Sequence, residues 1–310
     1  MAAIKEASKI WLDGKFIDWH DAKIHVLSHV VHYGSAVFEG IRVYQRSDNE
    51  SVIFRMEDHF NRLFDSAKIY KMKVNFTKEE MMNATVELLK INNLKSGYIR
   101  PFIFRGYGSL GVYPMNCPVQ SAVAAWEWGK YLGEDAMEKG IRCRVSSWNR
   151  AAPNTFPSLA KIAGNYINSQ LMKMEAVEDG FDEAIALDSY GFVSEGSGEN
   201  IFMIKNDVIF TPPTNSSILA GITRHSVFQM ARDLGIIIKQ HVLPRESLYI
   251  ADEVFLTGTA AEITPVVEID NIKVKEGKRG PITKILQEKF FNIINGKEED
   301  KHHWLTIVKF

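Results

Sequence analysis

Cysteine is almost missing from this chain of 310 residues: Cys117 and Cys143 are its only two, too far apart for a CxxC pair. So few thiols build neither a disulfide framework nor a thiolate zinc cluster, and a reduced, cytoplasmic compartment is the expected setting. Long apolar runs are missing as well. No segment reaches the length needed to span a bilayer, and the start, Met1-Ala2-Ala3-Ile4-Lys5-Glu6, lacks the apolar core of a signal peptide. Neither sign of charge dominates, with 37 basic against 38 acidic residues and a formal net charge of -1. Surfaces that bind phosphate backbones carry a basic excess, so no nucleic-acid partner is expected. Repeats, low-complexity tracts and heptads are absent too. What is present is an ordinary globular mixture, 45% hydrophobic and 24% charged. Its length suits one large or two medium domains around a buried site.

The hydropathy pattern predicts strands in both halves of the chain. Lys9-Ile10-Trp11-Leu12 and Lys15-Phe16-Ile17 flank Asp13-Gly14, whose tolerance of positive φ signals a hairpin. A strand over 37–44 is expected to pair with one over 51–54 across the turn Ser47-Asp48-Asn49-Glu50. Helices are predicted over 57–70, with Phe60, Leu63, Phe64 and Ala67 at helical spacing, and over 78–92, where Thr77 and Glu80 form a capping box. Strands over 98–104 and 122–128 follow. A charged segment with Gly129, Gly133 and Gly140 comes next. Beyond it, strands over 141–147, 183–188, 192–194, 200–210, 236–242, 252–257 and 266–275 are interrupted by helices over 164–178, 223–234 and 281–294. The expected division is a domain over 1–128, a linker over 129–140 and a domain over 141–310. The class is mixed α/β or α+β, and the pattern alone leaves the topology open.

Four segments set reactive groups beside small or turn-forming residues. In Ser158-Leu159-Ala160-Lys161-Ile162-Ala163-Gly164-Asn165-Tyr166, Lys161 has apolar neighbours. Burial there would lower its pKa and give the neutral amine that Schiff-base chemistry requires; the plain alternative is a surface lysine at a helix start. In Ser194-Glu195-Gly196-Ser197-Gly198-Glu199-Asn200, either acid can be aimed at a cationic ring nitrogen, or both can sit in a solvated loop. Leu219-Ala220-Gly221-Ile222-Thr223-Arg224 leads into an amphipathic helix, whose N-terminal N–H groups and dipole favour an anion. The segment itself is neither a Walker nor a dinucleotide motif. A helix entry capped by Thr223 is the default reading. Thr257-Gly258-Thr259-Ala260-Ala261-Glu262-Ile263 ends a strand in hydroxyls and small residues that suit phosphate or carboxylate, and equally suit a simple turn.

In their order and spacing, Lys161, Glu195, Gly221-Ile222-Thr223 and Gly258-Thr259 resemble the fold type IV pyridoxal-phosphate aminotransferases. His32-Tyr33-Gly34-Ser35-Ala36-Val37-Phe38-Glu39-Gly40-Ile41-Arg42 and Tyr98-Ile99-Arg100-Pro101 narrow the likeness to branched-chain amino acid aminotransferases, as do Ser146-Ser147-Trp148-Asn149-Arg150 and the Glu195–Asn200 segment. The resemblance runs from about Ile10 through nearly the whole chain. It implies a smaller N-terminal α/β domain and a larger C-terminal domain with a barrel-like β core. The implied cofactor is pyridoxal 5'-phosphate, bound to Lys161, which also moves the α-proton. By the same likeness Glu195 pairs with the pyridine nitrogen and Tyr166 with the phenolic oxygen. Phosphate falls to Arg62, Thr259, and the loop Leu219, Gly221, Ile222 and Thr223. Taken alone, Arg62 reads as an exposed i,i+4 partner of Asp58.

The resemblance also implies a pocket that takes the apolar chains of leucine, isoleucine and valine and the second carboxylate of glutamate. Phe38, Gly40, Tyr33, Trp128, Tyr131, Leu110 and Val112 would line it, and Arg100 would meet the γ-carboxylate. Tyr98 and the N–H groups of Thr259 and Ala260 would take the α-carboxylate. In the family Tyr33 and the 110–112 loop reach in from a neighbouring subunit, so a homodimer at minimum is implied, with a hexamer open. The CxxC redox switch of some animal relatives is absent. A D-amino acid aminotransferase or an aminodeoxychorismate lyase would share Lys161, Glu195 and the phosphate residues; the 32–42 and 98–100 segments speak for the branched-chain type.

Overall fold

The structure, a computed structural model, describes residues 4–47, 49–129, 132 and 135–310. Its contacts separate two compact units. The first comprises Met1–Gly129, Ala160–Gly164 and Ile294–Phe310, the second Lys130–Leu159 and Asn165–Ile293. The boundaries differ from a division at a 129–140 linker because two later segments cluster with the first unit. Val37 and Ile162 form a β-bridge, and the strand Leu305–Lys309, absent from the expected elements, pairs antiparallel with Glu50–Phe54. Of the expected linker, Lys130, Tyr131, Gly133 and Glu134 lie outside the described residues, and Ala136–Lys139 is a short helix.

The first unit is an eight-stranded sheet. Asp13 (φ 44°) and Gly14 (φ 86°) make the two-residue turn between Lys9–Leu12 and Lys15–Asp18, as hairpin twist demands. Gly97–Arg105 is the central strand, flanked by Val119–Trp126 on one side. On its other side the expected strand over 37–44 is broken into Ala36–Phe38 and Ile41–Ser47, both paired with it. The break has a definite cause. Glu39 N–H donates to Pro101 O at 2.8 Å, but proline has no N–H to return, so the ladder lapses at Glu39-Gly40. Gly40 also lies against the Tyr98 hydroxyl, where a Cβ would come within 1.7 Å.

Two helices cover this sheet. Met56–Ile69 buries Phe60, Leu63 and Ala67, and Lys78–Ile91 buries Met81, Leu88 and Leu89. The second starts at the expected capping box: Glu80 N–H donates to Thr77 Oγ1 at 3.1 Å, and Thr77 N–H donates to Glu80 Oε2 at 2.7 Å.

The second unit is a nine-stranded mixed sheet in which Ile141–Val145 runs parallel to both of its neighbours. Its edges approach each other. Val193 N–H, on the edge strand Val193–Gly196, donates to Leu243 O at 2.8 Å, just beyond the opposite edge strand Ile238–Gln240. The sheet therefore curls in the barrel-like manner expected. Two expected strands are divided by short polar turns. Asn206 (φ 50°) and Asp207 (φ 60°) split the 200–210 run into Asn200–Lys205 and Val208–Thr211. Asp270 (φ 51°) and Asn271 (φ 64°) turn Glu262–Ile269 back into Ile272–Lys273; Asn and Asp tolerate that region best after glycine. Helices Tyr166–Glu178, Ile222–Asp233 and Pro281–Ile294 stand close to their predicted spans.

Replacing Thr77 by Ala removes the side-chain half of the capping box and is expected to cost about 1 kcal/mol. The check is the urea unfolding midpoint; Thr77→Asp should leave it nearly unchanged.

Candidate active site

Lys161 does not start a helix. The helix begins five residues later, at Tyr166, and Lys161 sits half-buried between Ala160 and Ile162, both buried. Its backbone is held at both ends: Lys161 N–H donates to Ser66 Oγ at 3.0 Å, and Phe38 N–H donates to Lys161 O at 3.1 Å. The side chain reaches over the Phe38 ring, with Nζ 5.0 Å from its centroid.

Arg62 is likewise not the surface ion pair its helix spacing suggests. Asp58 bonds Arg55 Nε at 2.8 Å, because Arg55 caps the helix in the left-handed region and folds its side chain forward. Arg62 instead donates from Nε and Nη2 to the two oxygens of Glu39, at 2.6 and 2.9 Å. His59 Nδ1 lies 2.7 Å from Glu39 Oε2. Glu39 and His59 carry no role in the sequence reading, although the spacing His59-x-x-Arg62 sets both on one helix face.

A group of aromatic rings gathers around Arg100. Tyr98 and Arg100 point to one side of the strand Gly97–Arg105 because side chains alternate, and Trp126 stands opposite Tyr98 in register. The Arg100 guanidinium lies 4.7 Å from the Phe38 ring and 5.5 Å from Tyr98. Its Nε is buried and makes no hydrogen bond within the described residues. Trp128 sets its ring edge against Tyr98 at 4.5 Å. Arg42 Nη2 donates to Gly129 O at 3.0 Å and anchors the backbone beside Trp128. The structure thus brings Phe38, Gly40, Tyr98, Arg100, Trp128 and Lys161 into one neighbourhood of the first unit.

Three expected pocket residues are not gathered there. Tyr33 is stacked on His29 at the surface, and Leu110 and Val112 are exposed, the latter 92%. Tyr131 lies outside the described residues. The 106–111 loop carries GxGxxG spacing after a strand but opens no helix, so it lacks the context of a dinucleotide site.

In the second unit the two acids of the 194–200 turn part company. Glu195 pairs with Arg150, whose Nε is 3.2 Å from Oε1, and accepts from Asn200 Nδ2 at 3.0 Å and Leu219 N–H at 3.1 Å. Arg150 also donates to Gly196 O and Ser197 O at 2.7 and 2.9 Å, closing the turn. Glu199 is buried beside Glu183, and burial first, then that neighbouring charge, push its carboxyl up to about 8. It is therefore a neutral acid at pH 7. Of the two acids, Glu195 is the one fitted to a cationic ring N–H.

Asn200, another residue without an assigned role, ties Glu195 to the phosphate-type loop. Its Nδ2 also donates to Leu219 O at 2.9 Å, and its Oδ1 would lie 1.9 Å from any Cβ on Gly221. Gly221, not Thr223, is the N-cap of Ile222–Asp233. Thr223 sits buried in the first turn, where N–H groups have no partner within the helix. Thr257 Oγ1, just before Gly258 and Thr259, is buried without a hydrogen-bond partner in the described residues. A helix start, an acid paired with Arg150 and a hydroxyl without a partner among the described residues suit a group with a phosphate and a ring nitrogen. Tyr166 is half-buried at the first position of its helix, and Thr259 and Ala260 form the turn after Glu253–Gly258. Among the described residues no cluster able to hold a metal is found.

The Glu199 carboxyl has a testable consequence. Its pKa is raised from 4.5 to about 8 on folding, so between these values the folded chain keeps a proton that the unfolded chain releases. This contribution to stability falls as pH rises through that window. Glu199→Gln lacks it. The melting temperature of the variant relative to wild type is expected to rise from pH 5 to pH 8, and a difference constant across that range would show Glu199 ionised in the fold.

Comparison with known proteins agrees with this chemistry. A family model described as amino-transferase class IV matches residues 36–269. A branched-chain-amino-acid aminotransferase of Escherichia coli (strain K12) is 52% identical over 305 residues, 98% of each chain. The crystal structure of the Escherichia coli branched-chain amino acid aminotransferase matches with a TM-score of 0.95 at 51% identity, covering 97% of this chain and 99% of that one. A branched-chain amino acid aminotransferase of T.th., crystallised with pyridoxamine 5'-phosphate, matches with a TM-score of 0.93 at 46% identity, covering 97% and 98%. The resemblance read from the motifs holds, with its fold: this chain belongs to the class IV aminotransferase family.

Proposed function

We propose that the chain is a pyridoxal-phosphate-dependent branched-chain amino acid aminotransferase, exchanging amino groups between L-leucine, L-isoleucine or L-valine and 2-oxoglutarate. The observation that carries this reading is the placement of Arg100 over Phe38 and Tyr98. An apolar wall with one guanidinium laid across it accepts a branched aliphatic chain and, in the other half-reaction, the γ-carboxylate of glutamate. Rings hold a cation without neutralising it. The names of the relatives support the same substrates.

Pyridoxal phosphate, when bound, supplies an aldehyde that condenses with amines and a ring that takes up the electron pair released at the α-carbon. Lys161 Nζ would be the amine that attaches the cofactor and would carry the α-proton, on a backbone held by Ser66 and Phe38. Glu195, with Arg150 and Asn200 orienting its carboxylate, would pair with the ring nitrogen. Tyr166 would donate to the phenolic oxygen. Arg62, the Ile222 and Thr223 N–H groups, the Thr223 hydroxyl and Thr259 take the phosphate, on a loop shaped by Leu219 and Gly221. Tyr98, Thr259 and Ala260 take the α-carboxylate. Phe38, Gly40, Trp128 and Tyr131 complete the pocket, and Tyr33, Leu110 and Val112 serve that of a neighbouring subunit in a homodimer or hexamer. The reading places the enzyme in the cytoplasm, with small-molecule substrates only. Among the described residues no helix is long and apolar enough to cross a membrane.

Purified protein should be yellow and active with L-leucine and 2-oxoglutarate; activity with D-alanine alone would refute the substrate assignment. Lys161→Ala should lose the visible absorption band and at least about 100-fold in kcat. Arg100→Met should lower kcat/KM for glutamate about 10- to 100-fold, the range of a hydrogen bond to a charged group, and that for leucine much less. Equal losses would remove Arg100 from γ-carboxylate recognition.

A further inference from the structure

We propose that Glu39, with His59 behind it, is a positioning residue that fixes the Arg62 guanidinium for the cofactor phosphate, an inference that rests on the cofactor reading above. Glu39 is fully buried, and its carboxylate is used completely. Oε1 accepts from Arg62 Nε at 2.6 Å. Oε2 accepts from Arg62 Nη2 at 2.9 Å and sits 2.7 Å from His59 Nδ1, with Gly40 N–H at 3.3 Å. Burial alone would raise the Glu39 pKa, but Arg62 and then His59 outweigh it and hold the carboxyl well below the usual range. Burial keeps the His59 pKa below its ordinary value, so a neutral imidazole donates its Nδ1 hydrogen to an ionised carboxylate.

A buried ion pair is poor evidence of stability, because desolvating two charges offsets most of their attraction. Its value lies in geometry. The bidentate bond holds the planar guanidinium by its Nε edge, and the remaining N–H bonds of the fork are thereby aimed away from Glu39. Arginine otherwise loses considerable rotamer freedom when it binds a ligand; a guanidinium locked in advance has already lost it.

The backbone around Glu39 explains why this acid holds the post. Glu39 shares the alternation of Val37 and Ile41, whose side chains lie in the core with those of the helix, so its carboxylate points inward between sheet and helix. The preceding residue, Phe38, bonds Lys161 O, and the following one, Gly40, packs on the Tyr98 hydroxyl. Three consecutive residues thus set the register of the lysine backbone, the arginine head group and the tyrosine.

The test compares pyridoxal phosphate with pyridoxal, which lacks the phosphate, binding to protein stripped of cofactor. Glu39→Gln keeps the volume and removes the charge. It should weaken pyridoxal phosphate about 10- to 100-fold, the range for residues that orient a ligating group, and leave pyridoxal within about threefold. Added to Arg62→Ala, it should have little further effect. Equal weakening of both ligands, no weakening of either, or full additivity with Arg62→Ala would overturn the proposal. If Glu39→Gln does not fold, His59→Gln carries the same comparison, since it removes one bond to Glu39 and leaves the ion pair. Wild-type protein that binds neither ligand would overturn the cofactor reading and this inference with it.

Discussion

The buried carboxylate of Glu39 is the constraint around which the residues near Lys161 in the first unit are arranged. By strand alternation it points inward with Val37 and Ile41, where a lone charge would be prohibitively desolvated. Arg62 and His59 supply the compensation, and a single helix face brings both. On either side of it, Phe38 bonds the Lys161 backbone and Gly40 lies close against Tyr98. Three consecutive residues thus bring a lysine, an arginine and a tyrosine to one place.

The second unit solves a different problem with the same means. Two glutamates stand four residues apart in one glycine-containing turn, chemically identical and adjacent in the fold. Environment separates them. Glu195 receives a guanidinium and two N–H donors, while burial and then the neighbouring Glu183 push the Glu199 carboxyl up to about 8. The division is set by burial and neighbours and not by residue type. Asn200 completes the arrangement by bonding both Glu195 and the loop that opens Ile222–Asp233, so that acid and helix start keep a constant relation.

Much of this was readable from the chain as written. The hairpin at Asp13-Gly14, the capping box at Thr77 and Glu80, and the helices over 57–70, 78–92 and 281–294 are local, and their signals depend on near neighbours alone. The family was readable too, because Lys161, Glu195, Thr223 and Thr259 keep an order that no single segment betrays. Other elements escaped for physical reasons. Leu305–Lys309 is a short edge strand whose partner lies some 250 residues earlier. The turns at Asn206-Asp207 and Asp270-Asn271 are polar breaks only two residues long, which a reading of long apolar runs passes over.

What the sequence determined by itself is therefore the reactive groups and their order: an amine at Lys161, acids at Glu195 and Glu199, a helix start after Gly221, and aromatic residues along the chain from a cation at Arg100. Tertiary structure decided how each group is used. It assigned Arg62 to Glu39 instead of Asp58, made Gly221 the cap in place of Thr223, paired Glu195 with Arg150 while burying Glu199 beside Glu183, and tied Asn200 to both Glu195 and Leu219. Ionisation and orientation depend on burial and on partners distant in the chain, and neither is encoded in the spacing of neighbouring residues.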